Sequence, residues 1–187
     1  MAKRIFDLAL GLALAPFAAA LVALCALAIK LSSPGPVIHM SRRVGRDKRI
    51  FLMPKLRTMR TDAPQVATHL MTDPGSMLTP VGSILRKTSL DELPQIYSVI
   101  IGEMSFVGPR PALFNQDDLV ALREEKGINA LAPGITGWAQ VNGRDEVSIP
   151  EKVALDEYYL KNRSLLLDLR IMLMTAANAA RAKGVKH

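Results

Sequence analysis

Residues 5–29 read IFDLALGLALAPFAAALVALCALAI, and Asp7 is the sole charge among them. A helix needs roughly 20 predominantly apolar residues to cross a bilayer, so this run is long enough to enter one. A cleaved export signal has a shorter apolar core and a small-residue cleavage site. Here the run ends in Lys30-Leu31-Ser32-Ser33-Pro34, which reads poorly as such a site. A straight transmembrane helix is disfavoured by its flanks. Lys3 and Arg4 precede the run, and Lys30, Arg42, Arg43, Arg46, Lys48 and Arg49 follow it. Basic flanks belong on the cytoplasmic side, and both ends are basic. Pro16, near the middle, deletes one backbone hydrogen bond and bends a helix. A re-entrant helix that enters and leaves by one face satisfies both flanks, provided the freed carbonyl finds a partner. The expected layout is a membrane anchor over residues 1–32 and a globular domain over 33–187.

Outside that run the composition is ordinary for a soluble domain, and 187 residues allow one compact unit. The formal charge of +7 points to an anionic partner: nucleic acid, acidic lipid headgroups or phosphorylated substrates. Cys25 is the only cysteine, which excludes a disulfide framework or a cysteine zinc site. His39, His69 and His187 share no metal-ligand spacing. Ser33-Pro34-Gly35-Pro36 ends the anchor. Residues 37–59 read as two short strands around a Gly45-Arg46-Asp47 turn, and 61–80 as a loop or two short helices. Helices are expected over 91–101, 116–125 and 149–161, the last opened by the capping box Ser148-Ile149-Pro150-Glu151. A final helix runs from Ser164 to about Lys183. The fold class is helix-rich α+β, an apolar N-terminal helix packed on a small domain with a β-hairpin.

Four segments carry groups suited to phosphate chemistry. Arg42, Arg43, Arg46, Lys48, Arg49, Lys55, Arg57 and Arg60 form a basic cluster opposed by Asp47 alone. Most of it suits anionic lipid, at about 1 kcal/mol per base near the surface. Lys55 and Arg57 fall on one face of an alternating strand, where two cations suit a diphosphate. In Arg86-Lys87-Thr88-Ser89-Leu90-Asp91-Glu92-Leu93-Pro94-Gln95, Ser89 and Glu92 have capping-box spacing. With Ser89 as N-cap, however, Pro94 falls at the fifth helical position, where it costs stability. Starting the helix near Asp91 removes the conflict and puts both carboxylates beside free N–H groups, an anion site. Adjacent carboxylates there suit magnesium, and one could attack phosphorus. Spacing leaves the capping and chemical readings level. Pro109 and Pro111 bracket Arg110 and limit where its guanidinium strays. Residues 133–144, PGITGWAQVNGR, hold the only tryptophan; Trp138 could hold a nucleobase or sit at a membrane interface.

Together these segments resemble the monotopic phosphoglycosyl transferases, the bacterial sugar transferase family. The resemblance covers nearly the whole chain. It rests on Lys3-Arg4-Ile5-Phe6-Asp7, Ser33 to Pro36, Arg43-Val44-Gly45-Arg46, Lys55-Leu56-Arg57-Thr58-Met59, Thr88 to Gln95, Gly108 to Pro111 and Pro133 to Arg144, in that order. It implies a ping-pong reaction in which a UDP-sugar gives its phosphosugar to Asp91, releasing UMP. Polyprenol (undecaprenyl) phosphate then takes it, giving a polyprenol diphosphate sugar, the first membrane step of glycoconjugate assembly. It further implies that Asp91 and Glu92 are catalytic and bind Mg2+, and that Lys55, Arg57, Arg86, Arg110 and Arg144 bind substrate phosphates. The expected location is the cytoplasmic face of the bacterial inner membrane, in contact with membrane lipid. No nucleic acid is expected as partner, and a homo-oligomer is left open. Ala15 stands where the family commonly has Ser before the anchor proline. Leu56, Ala132 and Asp145 also depart from its usual residues.

Two rivals explain part of this. A non-catalytic basic scaffold binding acidic lipid or nucleic acid accounts for charge and anchor. It leaves Asp91-Glu92 beside Pro94 unexplained, and aromatics at 5% are thin for base stacking. A phosphatase using the same aspartyl chemistry has no need of a lipid anchor.

Overall fold

The computed structural model describes residues 1–63, 75–143 and 147–180. Helix α1 spans Ala2–Ser32, followed by strands β1 (Ile38–Val44) and β2 (Ile50–Leu56). Next come α2 (Pro80–Thr88), α3 (Gln95–Ile101), β3 (Ser105–Val107), α4 (Asp117–Glu125) and β4 (Gly134–Thr136). The chain closes with α5 (Trp138–Asn142), α6 (Ile149–Asn162) and α7 (Leu165–Ala180). Helices dominate and the sheets are small, as the sequence implies. The expected loop over 61–80 lies largely outside the described residues.

Helix α1 has 31 residues, about 46 Å at 1.5 Å per residue. The expected break at Pro16 is not a break in the helix, which runs through it. Proline removes only its own N–H from the ladder, and the bonds on either side persist. The helix is instead held along its length by one face. Asp7, Gly11, Ala18 and Ile29 are its buried residues, at intervals close to multiples of the helical repeat. A Cβ on Gly11 would stand 3.1 Å from Ile100, so the missing side chain lets α1 approach α3. Ile5, Phe17, Leu24 and Leu31 lie on the exposed, apolar side. An exposed apolar face of this length has no stable place in water, and the chain associates with membrane.

Both ends of α1 rest on the globular domain. At the first turn, Lys3 Nζ meets Asp168 of α7 at 2.7 Å, and Arg4 donates to the Val99 and Ile100 carbonyls at 2.5 and 2.6 Å. Those carbonyls end α3, where the helix leaves acceptors unpaired and favours a cation. Asp7 accepts the buried Phe106 N–H at 3.2 Å, which accounts for the one charge in the apolar run. At the last turn, Ile29 is fully buried beside Leu56 and Leu85, worth about 2 kcal/mol. Lys30 donates to the Gly35 carbonyl.

Strands β1 and β2 form the expected antiparallel hairpin, in register from Ile38↔Leu56 to Val44↔Ile50. The turn is longer than expected, a 3-10 turn over Arg46–Lys48 with Asp47 and Lys48 at positive φ. Strands β3 and β4 pair in parallel, Ser105↔Gly134 and Val107↔Thr136, a contact the sequence did not suggest. A side chain on Gly134 or Gly137 would strike the Gly108 backbone, so these two glycines serve close backbone packing. Around this pair lie Phe51, Met53, Ile96, Val99, Met104, Phe106, Tyr159 and Ile171, the main core.

Candidate active site

Asp91 and Glu92 sit in a separate 3-10 turn, Leu90–Glu92, between α2 and α3. Ser89 ends α2 in the left-handed region, φ 56°, and makes no capping bond with its side chain. The capping box that the spacing allowed is not formed, and α3 starts only at Gln95, after Pro94. Proline tolerates that position because the first helical N–H groups have no partner in any case. The structure thus corrects the helix start by four residues and leaves Glu92 free to turn elsewhere.

Where Glu92 turns defines the site. Its Oε1 accepts from Lys55 Nζ at 2.7 Å and from Arg110 Nη2 at 3.2 Å. Lys55 arrives from the end of β2, and Arg110 from the proline-bracketed loop after β3. Burial pushes the Glu92 carboxyl up, but the two cations outweigh it and bring it down to about 2. Asp91 is buried, yet accepts no hydrogen bond from a described residue. Burial, then the neighbouring Glu92, push its carboxyl above the usual range, against Lys55, Arg86 and Arg110. Arg86 reaches into the same field from α2, with its Nε held by Thr58 Oγ1 at 3.0 Å. Burial lowers the Arg86 pKa and Asp91 raises it. Three cations surround two carboxylates, an excess of positive charge suited to phosphate oxygens.

Other expected members fall elsewhere. Arg57 does not join Lys55 at Glu92, although its N–H still bonds the Val37 carbonyl at 2.8 Å beyond the end of β2. Its guanidinium is buried in the loop after α1, donating to the Ser33 and Pro34 carbonyls and to Ser33 Oγ at 2.7–2.9 Å. Gly35, at φ 117°, leaves room for that guanidinium, where a Cβ would collide with it. Arg57 therefore ties the anchor to β2, apart from the cluster around Glu92. Arg144 lies outside the described residues. Trp138 stacks on Tyr158 with centroids 5.0 Å apart, so one face of its ring is already occupied.

Among the described residues, no three His, Cys, Asp or Glu side chains are clustered for a metal. The carboxylates present still fit magnesium, which takes one or two protein carboxylates and completes its shell with water and substrate phosphates. Asp91 and Glu92 Oε2 carry the oxygens that no described residue hydrogen-bonds, while Lys55 and Arg110 share Oε1.

An anchored domain with a cation-ringed carboxylate pair is suited to phosphorylated substrates at a membrane. Comparison with known proteins supplies the family. The bacterial sugar transferase profile matches residues 1–182. The chain is 36% identical over 187 residues to the uncharacterized sugar transferase EpsL of Bacillus subtilis, covering 99% of this chain and 90% of that protein. It is 38% identical over 204 residues to the exopolysaccharide production protein ExoY of Rhizobium meliloti, covering 98% and 88%. It is 42% identical over 159 residues to the UDP-glucose:undecaprenyl-phosphate glucose-1-phosphate transferase of Xanthomonas campestris pv. campestris. That match covers 81% of this chain and 33% of the relative, so the chain spans about a third of that larger protein. The chain belongs to the bacterial sugar transferase family.

Proposed function

We propose that this chain transfers a phosphosugar from a UDP-sugar to polyprenol phosphate, with UDP-glucose as the first donor to test. The observation that carries the reading is the convergence of Lys55 and Arg110 on Glu92, with Asp91 beside it, buried and without a described hydrogen-bond donor. The Xanthomonas relative's name supplies glucose and undecaprenyl phosphate as substrates to try.

Asp91 is the nucleophile. Its Oδ attacks the donor phosphorus that bears the sugar, and the bond from that phosphorus to the UMP oxygen breaks. UMP leaves, and the phosphosugar remains on Asp91 as an acyl phosphate. A phosphate oxygen of the polyprenol phosphate then attacks the same phosphorus, the acyl phosphate bond breaks, and the Asp91 carboxylate is regenerated. An environment that makes the carboxylate more basic makes it a better nucleophile while it remains ionised. Lys55, Arg86 and Arg110 neutralise the phosphate oxygens and hold the donor in line. Bound magnesium, held by Asp91 and Glu92, would supply further charge neutralisation at the diphosphate. Glu92 also keeps Lys55 and Arg110 together before the donor arrives. The lipid acceptor accounts for the anchor, since the second substrate cannot leave the bilayer.

The domain faces the cytoplasm in this reading, with both ends of α1 on that side. The packing of its first and last turns on one domain supports this. The direct test is UMP release from UDP-glucose and other UDP-sugars with magnesium, with and without undecaprenyl phosphate. With donor labelled in the sugar-bearing phosphate, the label should stay on the protein until acceptor is added. Release only when both substrates are present, with no labelled protein, would rule out the covalent route. Probes at Met1 and His187 should both react from the cytoplasmic side; opposite sides would rule out the re-entrant arrangement.

A further inference from the structure

The loop that presents Arg110 is held at every carbonyl from Pro109 to Ala112. Pro109 O accepts the Gly134 N–H at 2.9 Å, and Ala112 O accepts the Val44 N–H at 3.0 Å. The two carbonyls between them are taken by arginine side chains. Arg110 O accepts from Arg123 Nη1 at 2.9 Å, and Pro111 O accepts from Arg43 Nη1 at 3.1 Å. Two of the four residues are prolines without an N–H, so the loop cannot enter a ladder as an ordinary strand. Donors must come to it. They come from β4, β1 and α4, on three sides.

The Arg123 arrangement exceeds what stability asks for. Its Nε and Nη2 both bond Asp156 Oδ2 of α6, at 3.0 and 2.6 Å, and both side chains are almost fully buried. A buried ion pair is weak evidence for stabilisation, because desolvation consumes most of the Coulombic gain. This pair does something more specific. Asp156 fixes the guanidinium plane and leaves Nη1 pointing at the carbonyl of the residue whose side chain reaches Glu92. Arg43 is held in the same manner, with its Nε on Ser41 Oγ at 3.0 Å.

We propose that Arg123, oriented by Asp156, and Arg43 are positioning residues for Arg110. They clamp the two carbonyls that follow its Cα, while the Gly134 N–H holds the one before it, and so fix where its guanidinium meets the donor phosphates. The inference rests on the proposed role of Arg110 at the diphosphate, but the clamp itself can be tested without turnover. Neither Arg123 nor Asp156 touches the Asp91–Glu92 pair in the described structure, so they act through the loop.

The experiment has two arms, both on the full chain in lipid nanodiscs. In the first, hydrogen exchange is followed at Gly134 and Val44, whose amides bond the same loop, in Arg123→Lys and in Arg43→Lys. Lysine keeps the charge but cannot hold both partners in one plane. Exchange at these amides should rise about tenfold or more, with α3 and the C-terminal half of α6 unchanged. Wild-type exchange in both variants would overturn the clamp, whatever the enzyme's activity. In the second arm, UMP release is measured for Arg123→Lys, Arg110→Lys and the double variant. Arg123→Lys should lower kcat about tenfold with little change in donor KM, yet cost less than about twofold when Arg110 is already lysine. Equal losses in both backgrounds would overturn action through Arg110. Should Arg123→Lys fail to fold, Arg43→Lys and its double variant with Arg110→Lys decide the same question. If the wild-type chain releases no UMP from any donor, the proposed reaction fails and the exchange arm still decides the clamp.

Discussion

Ser89-Leu90-Asp91-Glu92 and Ser148-Ile149-Pro150-Glu151 carry the same Ser-x-x-Glu spacing, and they fold oppositely. At Ser148 the box closes. The Ser148 N–H donates to Glu151 Oε2 at 2.9 Å, and the Glu151 N–H donates to Ser148 Oγ at 3.4 Å, opening α6. At Ser89 it stays open. The serine terminates α2 at positive φ, and Glu92 reaches across the fold to Lys55 and Arg110. Proline placement separates them. Pro150 sits in the first helical turn, where it is welcome, whereas Pro94 would have fallen inside a helix started at Ser89. Both glutamates are lowered in pKa, for different reasons. Cations lower Glu92 against its burial, while the Ser148 hydroxyl and backbone N–H lower Glu151 at the surface. One box opens a helix; the other stays open, and its glutamate pairs with two cations instead.

The largest expected effect lies in the open segment. Asp91→Asn should lower UMP release by about 10³-fold or more while folding and membrane association persist, because an amide is no nucleophile toward phosphorus. Circular dichroism and vesicle flotation beside the assay separate the two, and substantial residual activity would remove Asp91 from that role. Next, Glu92→Gln should cut kcat/KM by about 10²-fold, leaving Lys55 and Arg110 without their shared partner. The matching Glu151→Gln should leave activity within about twofold, since only a cap is lost. Equal losses from both would erase the distinction drawn here.

The pH dependence sharpens the comparison further. Burial and the Glu92 charge raise Asp91, so activity should begin to fall on acidification above the ordinary carboxylate range. Glu92→Gln removes one upward push, and the acid limb of its residual kcat/KM profile should move to lower pH. Stability follows the opposite sign at Glu92. A carboxyl lowered from 4.5 to about 2 stabilises the fold above 4.5, and that contribution is lost as pH falls toward 2. Acid unfolding of Glu92→Gln should therefore be flatter across that window than wild type. The smallest effects concern the serines. Ser148→Ala should cost about 1 kcal/mol in denaturant unfolding. Ser89→Gly should gain about 0.5 kcal/mol, because glycine relieves the positive φ and no cap is lost.

Much of the architecture was legible from local patterns. The hairpin followed from alternation around Gly45, α6 from a capping box with proline in its first turn, and the anchor from its apolar length. Motif spacing also brought out Asp91, Glu92, Lys55, Arg86 and Arg110, which the structure gathers in one region. What failed was whatever depended on partners distant in sequence. Lys3 and Arg4 read as basic flanks belonging on the cytoplasmic side, but nothing in the sequence named Asp168, Val99 and Ile100 as their partners. Arg57 was paired with Lys55 by alternation, but its long side chain reaches Ser33 and Pro34 while Lys55 meets Glu92. The parallel β3–β4 contact joins two segments that did not read as paired strands. Arg123 and Asp156 gave no signal at all, being ordinary charges on ordinary helices until the fold buries them together.

The seating of α1 also has a consequence for the order of events at the ribosome. Lys3 and Asp168 are 165 residues apart, so at about 5–20 residues per second the docking partner of the first turn is made roughly 8–33 s after it. Throughout that interval the surface the anchor will rest on is incomplete. The bilayer is the only available host for its apolar face, and the domain must assemble against a helix already in the lipid. Newly made chain therefore commits to its membrane before it commits to its fold.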